Sequence, residues 1–247
     1  MQKKHFFKSL IILLMISFTN TYIQAQDNEE TSLFTISADM VSTYIWRGAT
    51  VSSTPNIQPL IAVGGGNFSF GIWGSTDLAY NSLGAYKELD FFIGYSAGGF
   101  SANLYDYYWN PTTKYFNYDN ETTGHIFELE LSYENEKVPF KISAATMLYG
   151  DDKKWYYDAE ETDMKKNNYS TYFELGYTFT SGKNTLYTFL GLTPFTGMYG
   201  VDFNGVNLGF TANREIQINE KFSLPIFITA AANPQTENIF LVFGFTL

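Results

Sequence analysis

The chain has 247 residues, no cysteine and a formal net charge of −10. Without cysteine, disulfides, zinc–thiolate centres, cysteine nucleophiles and an N-terminal lipid anchor on cysteine are excluded, and an acidic balance argues against a nucleic-acid partner, which requires a basic surface. Aromatic residues make up 19% of the chain while its mean hydropathy is only −0.14, too low for a bundle of membrane helices, and that pairing points to strands with one apolar and one polar face.

The first 25 residues carry the physical marks of a secretory signal peptide. Lys3, Lys4 and Lys8 form a basic start, Leu10 to Phe18 an apolar stretch too short to span a bilayer, and Ile23-Gln24-Ala25 a cleavage site. The mature chain is expected to begin near Gln26. Removing three lysines and no acids takes the formal charge from −10 to −13. An exported protein follows, and no later segment is apolar enough for a transmembrane helix.

Beyond the acidic stretch "QDNEETS" the pattern is period two almost to the end. In "ELDFFIGYSA" Leu89, Phe91, Ile93 and Tyr95 share one parity, and Glu88, Asp90, Gly94 and Ser96 the other. In "FELELSYE" Phe127, Leu129, Leu131 and Tyr133 alternate with Glu128, Glu130, Ser132 and Glu134. Alternation over about 8–11 residues marks a strand with different solvents on its two faces. The pattern predicts about twelve strands, near 33–46, 57–64, 67–76, 87–97, 99–109, 125–133, 139–149, 169–180, 184–193, 205–213, 222–232 and 238–247.

Their connections alternate in length. Short turns fall at 64–67, 97–100, 134–139 and 180–184, and long polar loops at 47–56, 77–86, 110–124 and 150–168. Short turns on one side and longer loops on the other predict an all-β, antiparallel up-and-down transmembrane β-barrel of the bacterial outer membrane, occupying 26–247. The charged loop 150–168 reads as external, with its lysine pairs Lys153-Lys154 and Lys165-Lys166 solvated. The aromatic clusters at 104–109 and 155–158 read as the girdle at headgroup level, with a stacking platform for a sugar as the sharper alternative.

The last strand, "NIFLVFGFTL", alternates to the chain end. Ile239, Leu241, Phe243, Phe245 and Leu247 lie on one face. It is similar to the terminal signal read by the outer-membrane assembly machinery, although Phe is more usual than Leu at the last position. In water it would be an aggregation-prone edge, whereas in a closed barrel it pairs with the first strand.

The opening of the barrel region, "ISADMVSTYIWRGATVSSTPNIQPLIAVGGGNFSFGIWGS", resembles the TorF-family porins, the Gcw-type conserved outer-membrane proteins. The matching residues are Tyr44, Arg47, Gly48, Pro55, Gln58, Gly71, Trp73 and Ser75. Glu88-Leu89-Asp90, Gly94-Tyr95 and the aromatic run from Tyr105 to Pro111 continue the match. It covers about residues 36–111, and "RGAT" departs from the more usual Arg-Gly-Ile or Arg-Gly-Val. The resemblance implies a porin, whose transport activity is an inference from fold.

No enzymatic chemistry is indicated. His125 is the one histidine of the mature chain and has no nucleophile motif near it, so an outer-membrane lipid hydrolase is the weakest alternative. A lone histidine among scattered acids has no metal-ligand spacing, and no cofactor is implied. With the apolar face on lipid, Asp39, Arg47, Glu88, Asp90, Glu128, Glu130, Lys141 and Glu174 point into the lumen. Six acids against two bases favour cations by Coulomb attraction. The function expected is passive diffusion of small solutes through a narrow acidic lumen, with outer-membrane lipids as surroundings. A plugged structural or ligand-binding barrel with functional external loops stays open beside it, because twelve strands lie between a filled eight and an open sixteen. Tyr44 and Trp46 read as outer-rim girdle residues, and Arg47 as a cation at the lumen mouth with Glu88 and Asp90 as candidate partners.

Overall fold

The computed structural model describes residues 33–79, 86–110, 112–135 and 138–247. The expected leader over 1–25 and the mature start near Gln26 lie outside them. Fourteen strands are described. They are β1 (Phe34–Val41), β2 (Tyr44–Trp46), β3 (Ala49–Ser52), β4 (Asn56–Gly65), β5 (Phe68–Asp77), β6 (Lys87–Ala97) and β7 (Phe100–Tyr108). There follow β8 (His125–Asn135), β9 (Val138–Gly150), β10 (Thr171–Ser181), β11 (Asn184–Thr193), β12 (Asn204–Asn219), β13 (Phe222–Asn233) and β14 (Asn238–Thr246).

Twelve of them close into one barrel, each antiparallel to its chain neighbours, and β14 returns to β1. The closing seam pairs Asp39 with Thr246 and Met40 with Phe245. Leu247 and Ala38 exchange both backbone hydrogen bonds at 2.9 Å, so the terminal strand leaves no edge along this stretch. A typical wall strand of ten residues, at about 3.3 Å each and tilted about 40°, crosses roughly 25 Å, the height of a membrane band.

The burial pattern is that of a water-soluble protein turned inside out. Phe70, Ile72, Leu89, Phe91, Ile93 and Leu241 stand exposed on the outer face, while Asp39, Gln58, Glu88, Asp90, Asn103 and Glu130 are buried within. A continuous apolar exterior of this kind has lipid as its solvent, and the barrel is transmembrane. The two-residue gaps after β4, β6 and β10 sit at one end, and the long connections at the other.

The strand expected over 33–46 does not run straight through. It leaves the wall after Val41, and β2 and β3 form a separate two-stranded hairpin. The expected external loop 47–56 is therefore half of that hairpin. Ser42 marks the departure: its N–H donates to the Phe243 carbonyl at 2.9 Å and its Oγ accepts from the Phe243 N–H at 3.0 Å. Two polar links to β14 hold the hairpin root where the ladder ends.

Candidate functional site

The hairpin turns inward and crosses the lumen. Trp46 pairs with Ala49, so Arg47-Gly48 is a two-residue turn. Both turn residues have positive φ, 47° and 82°, as a type I′ hairpin requires. The second suits glycine. A Cβ there would lie 1.9 Å from the Val206 carbonyl oxygen of β12, so Gly48 also lets the tip touch the far wall. Asn233 of β13 donates to the Gly48 carbonyl at 3.0 Å. At Arg47 the left-handed conformation costs about 1–2 kcal/mol, so something must hold the side chain where it is.

Two carboxylates do. Glu128 and Glu130 are two residues apart on β8 and therefore face the lumen together. Arg47 Nη1 meets Glu128 Oε1 at 2.7 Å and Nη2 meets Glu130 Oε2 at 3.1 Å. Tyr107 donates to the other Glu128 oxygen at 3.0 Å, and Tyr199 donates to Glu128 while accepting from Arg47. The guanidinium carbon lies 4.9 Å from the centres of the Trp46 and Tyr172 rings and 5.2 Å from Tyr199. A planar fork with several donors is the side chain that can serve two carboxylates, a phenol and three π faces together; a lysine ammonium cannot.

Tyr199 reaches this point because the 194–203 connection also dips inward. Gly197 and Gly200 exchange backbone hydrogen bonds in a tight turn that presents it. Around the latch, Tyr105, Tyr107, Ile126, Met147, Tyr172 and Val206 form a packed core inside the barrel. The 104–109 cluster thus departs from the expected girdle. Leu104 faces outward, but Tyr105 and Tyr107 point inward and are buried, and Trp109 packs on the same core. Tyr44 and Trp46 are corrected likewise. Tyr44 is buried with ring centres 5.6 Å from Trp73 and 6.2 Å from Tyr86, and Trp46 packs at 5.7 Å from Tyr107 and 5.5 Å from Tyr199. In a membrane barrel a lumen filled with aromatics has the same sequence parity as an outer-rim girdle once the chain turns inward.

The remaining polar residues are distributed around the wall. Glu88 and Asp90 are not the partners of Arg47: its guanidinium meets Glu128 and Glu130 of β8, two strands along the wall from β6. Glu88 accepts from Tyr86 at 2.8 Å and Asp90 from the Tyr108 N–H at 3.2 Å. Asp39 accepts from Thr246 at the barrel seam. Glu174 accepts from Tyr172 and Tyr187, each at 2.7 Å, and Lys141 lies across from Glu134. Arg47, Glu130, Lys141 and Glu174 line a cavity of about 260 Å³ beneath the hairpin; Glu88, Asp90, Glu128 and Asp39 do not. Tyr199, Tyr107 and Asn233, essential to the latch, carry no sequence signal beyond their inward parity or loop position.

His125 sits apart, on the outward parity of β8 at the long-loop end. Its Nδ1 is 2.7 Å from Asp106 and its Nε2 faces the Tyr115 carbonyl oxygen. Tyr108, Tyr115 and Tyr118 surround its ring at 4.2–5.1 Å. Nε2 thus pins the 112–124 loop while Nδ1 is tied to Asp106 of β7, and a carbonyl stands where a hydrolase would place a nucleophile. That loop in turn locks onto 151–170. Lys153 donates to Asn120 at 2.7 Å and Asn167 at 3.0 Å, and Lys165 pairs with Glu121 at 2.6 Å. Lys153 is therefore a buried strut rather than the solvated charge expected, while Lys154, Lys165 and Lys166 are substantially exposed. Asp152 accepts from the Ser170 N–H at 2.8 Å and its hydroxyl at 2.6 Å, yet burial holds its carboxyl above the usual carboxylate range.

No family model and no curated protein matches the chain. Among solved structures it is similar to a triple mutant of the Rh. blastica porin, with 8% identity over 78% of this chain and 55% of that one, at a TM-score of 0.37. A second porin shares 14% identity over 80% of this chain and 63% of its own, at a TM-score of 0.36. The chain thus spans less than two thirds of the length of either.

Proposed function

We propose that the protein is an outer-membrane channel for passive diffusion of small solutes, with a lumen obstructed by the β2–β3 hairpin and opened when Arg47 leaves Glu128 and Glu130. The observation that carries this reading is the latch: a hairpin turn alone would close nothing, but two ion pairs anchor this one to the opposite wall. Glu88 and Asp90 lie on the wall and accept from the Tyr86 hydroxyl and the Tyr108 amide. Their field favours cations over anions of equal size. No catalytic step and no cofactor belong to this reading. Planar-bilayer recording tests it. Under a potassium chloride gradient the reversal potential is expected to take the sign of cation preference. An absence of channel steps at any voltage short of breakdown, or anion preference, would overturn the reading.

A second reading, a binding barrel acting through its external loops, draws support from the interlocked 112–124 and 151–170 segments. Shortening 151–170 would then abolish binding and leave conductance intact.

A further inference from the structure

The wall strands β10 to β14 carry three charged side chains, Glu174, Arg214 and Glu215. Glu174 lines the lumen cavity, and Glu215 shares the inward parity of Thr211 and Asn213, which line it too. Arg214 points the other way. It pairs with Asn184 of β11 and Ile226 of β13, on the parity of Leu208 and Phe210, which stand exposed on the outer face. A cation on the lipid face is costly at the bilayer midplane and nearly free at the interface. The length of β12 decides which of these applies. From Asn204 to Arg214 the strand makes ten steps, which at about 3.4 Å each and a tilt of about 40° rise roughly 26 Å, the height of the apolar band. Arg214 therefore lies at headgroup level, at the short-turn end.

The protein offers this guanidinium no anion. Among the described residues Arg214 is in no ion pair, and its rung of the wall, Asn184, Ile226 and Phe245, brings no carboxylate. Glu215, next in sequence, projects from the opposite face of the strand. The nearby turns add more positive charge than negative. Lys183 precedes Asn184 in the β10–β11 turn, and Lys221 follows Glu220 in the β12–β13 turn; both lysines are exposed and in no ion pair among the described residues. In a chain of net charge −10, three bases against Glu215 and Glu220 make a local excess of cations. A guanidinium grips phosphate through two parallel N–H donors, and an ammonium beside it adds a point charge. One rung towards the loop end, Ala212 is the one small side chain in the outward row Leu208, Phe210, Ala212, Arg214 and Ile216. Leu186 and Ile228 flank it on the neighbouring strands. A shallow apolar lane thus leads up the wall from the guanidinium, fitting an acyl chain whose phosphate sits on Arg214. A soluble phosphate would meet the charge and leave the lane uncovered.

We infer that the guanidinium of Arg214, beside Lys183, binds the phosphate of an anionic phospholipid in the leaflet at the short-turn end. The inference goes beyond the channel reading and needs only the transmembrane wall. The test uses the full chain folded in detergent micelles, with bound lipid read by native mass spectrometry. Phosphatidylglycerol is the probe. Phosphatidylethanolamine is its zwitterionic counterpart, diacylglycerol supplies the chains without the phosphate, and glycerophosphate the phosphate without the chains. Phosphatidylglycerol is expected to be held most tightly, phosphatidylethanolamine less so, and the two fragments hardly at all. Arg214→Gln keeps the polar reach and removes the charge, and should weaken phosphatidylglycerol about tenfold, the value of a charge-assisted hydrogen bond. Arg214→Lys should lose less, since the charge stays and the fork goes. Lys87→Ala, at the loop end of the outer face, should change nothing. Heat-modifiable migration checks the folding of each. Unchanged retention in both folded Arg214 variants, an equal loss in Lys87→Ala, or phosphatidylethanolamine or diacylglycerol held as tightly as phosphatidylglycerol would overturn the inference. Glycerophosphate bound as tightly as the lipid would assign the site to free phosphate and overturn it too. Conductance of the same preparation separates the two ideas, since a barrel that retains the lipid without conducting refutes only the channel, and one that conducts without lipid preference refutes only this site.

Discussion

Arg47 answers to two constraints at once. Its backbone occupies a left-handed conformation that most side chains avoid, and its guanidinium is almost wholly enclosed, with 11% of the side chain exposed. Glu128 is fully buried. Removing the cation leaves that carboxylate desolvated with only phenols for company, and breaking a buried pair in this way costs about 3–5 kcal/mol. Arg47→Ala is therefore expected to lower the urea midpoint of the folded barrel clearly. Adding Glu128→Gln and Glu130→Gln should restore most of the loss, because the stranded charges go with it. A loss in the triple variant equal to that in Arg47→Ala would show that packing, not charge, holds the tip. Arg47→Lys should fall between the wild type and alanine, since one ammonium cannot serve both carboxylates in the same geometry.

At the scale of elements, period two made the wall legible and concealed the hairpin. Leu89, Phe91 and Ile93 alternate with Glu88 and Asp90 because one face of β6 meets lipid and the other does not, and the same argument located each of the twelve wall strands. Tyr44 and Trp46 resume the parity of Ile36, Ala38 and Met40 after a break at Val41-Ser42, and so short a break does not say that the chain has left the wall. The signal that could have said so is local: Arg47-Gly48 between two short β-branched and aromatic runs is a two-residue hairpin turn, and Ser52, Ser53, Thr54 and Pro55 then return the chain to β4. The partners of Arg47 were not legible, because which strand faces which across a lumen depends on closure and tilt rather than on spacing.

The external loops give an element-scale prediction of their own. Burial raises the Asp152 carboxyl, so its folded-state affinity for a proton exceeds that of the unfolded chain, whose value is about 3.9. A group shifted upward contributes stability that is fully present below the unfolded value and is lost as pH rises through the folded one. Amide protection of 151–170, corrected for intrinsic exchange, should therefore decline as pH rises from about 4 through that raised value. Asp152→Asn should flatten the dependence. Protection that increases with pH over the same window would contradict the assignment.

The whole molecule is a transmembrane barrel of twelve strands whose loop-side lumen is packed like a protein core and whose short-turn side holds a cavity. Twelve strands give an interior too wide for wall side chains alone to close. The hairpin and the 194–203 connection supply the missing material, and on the proposed reading the latch between them decides whether the barrel is open. Single-channel recording of the wild type beside Arg47→Ala and Gly48→Ala tests this most directly. Arg47→Ala removes the charge; Gly48→Ala keeps it and drives a methyl into the Val206 carbonyl. Both are predicted to raise the open fraction or the conductance well above wild type, by different routes to the same unseated hairpin. Folded variants with conductance and open fraction indistinguishable from wild type would contradict the latch.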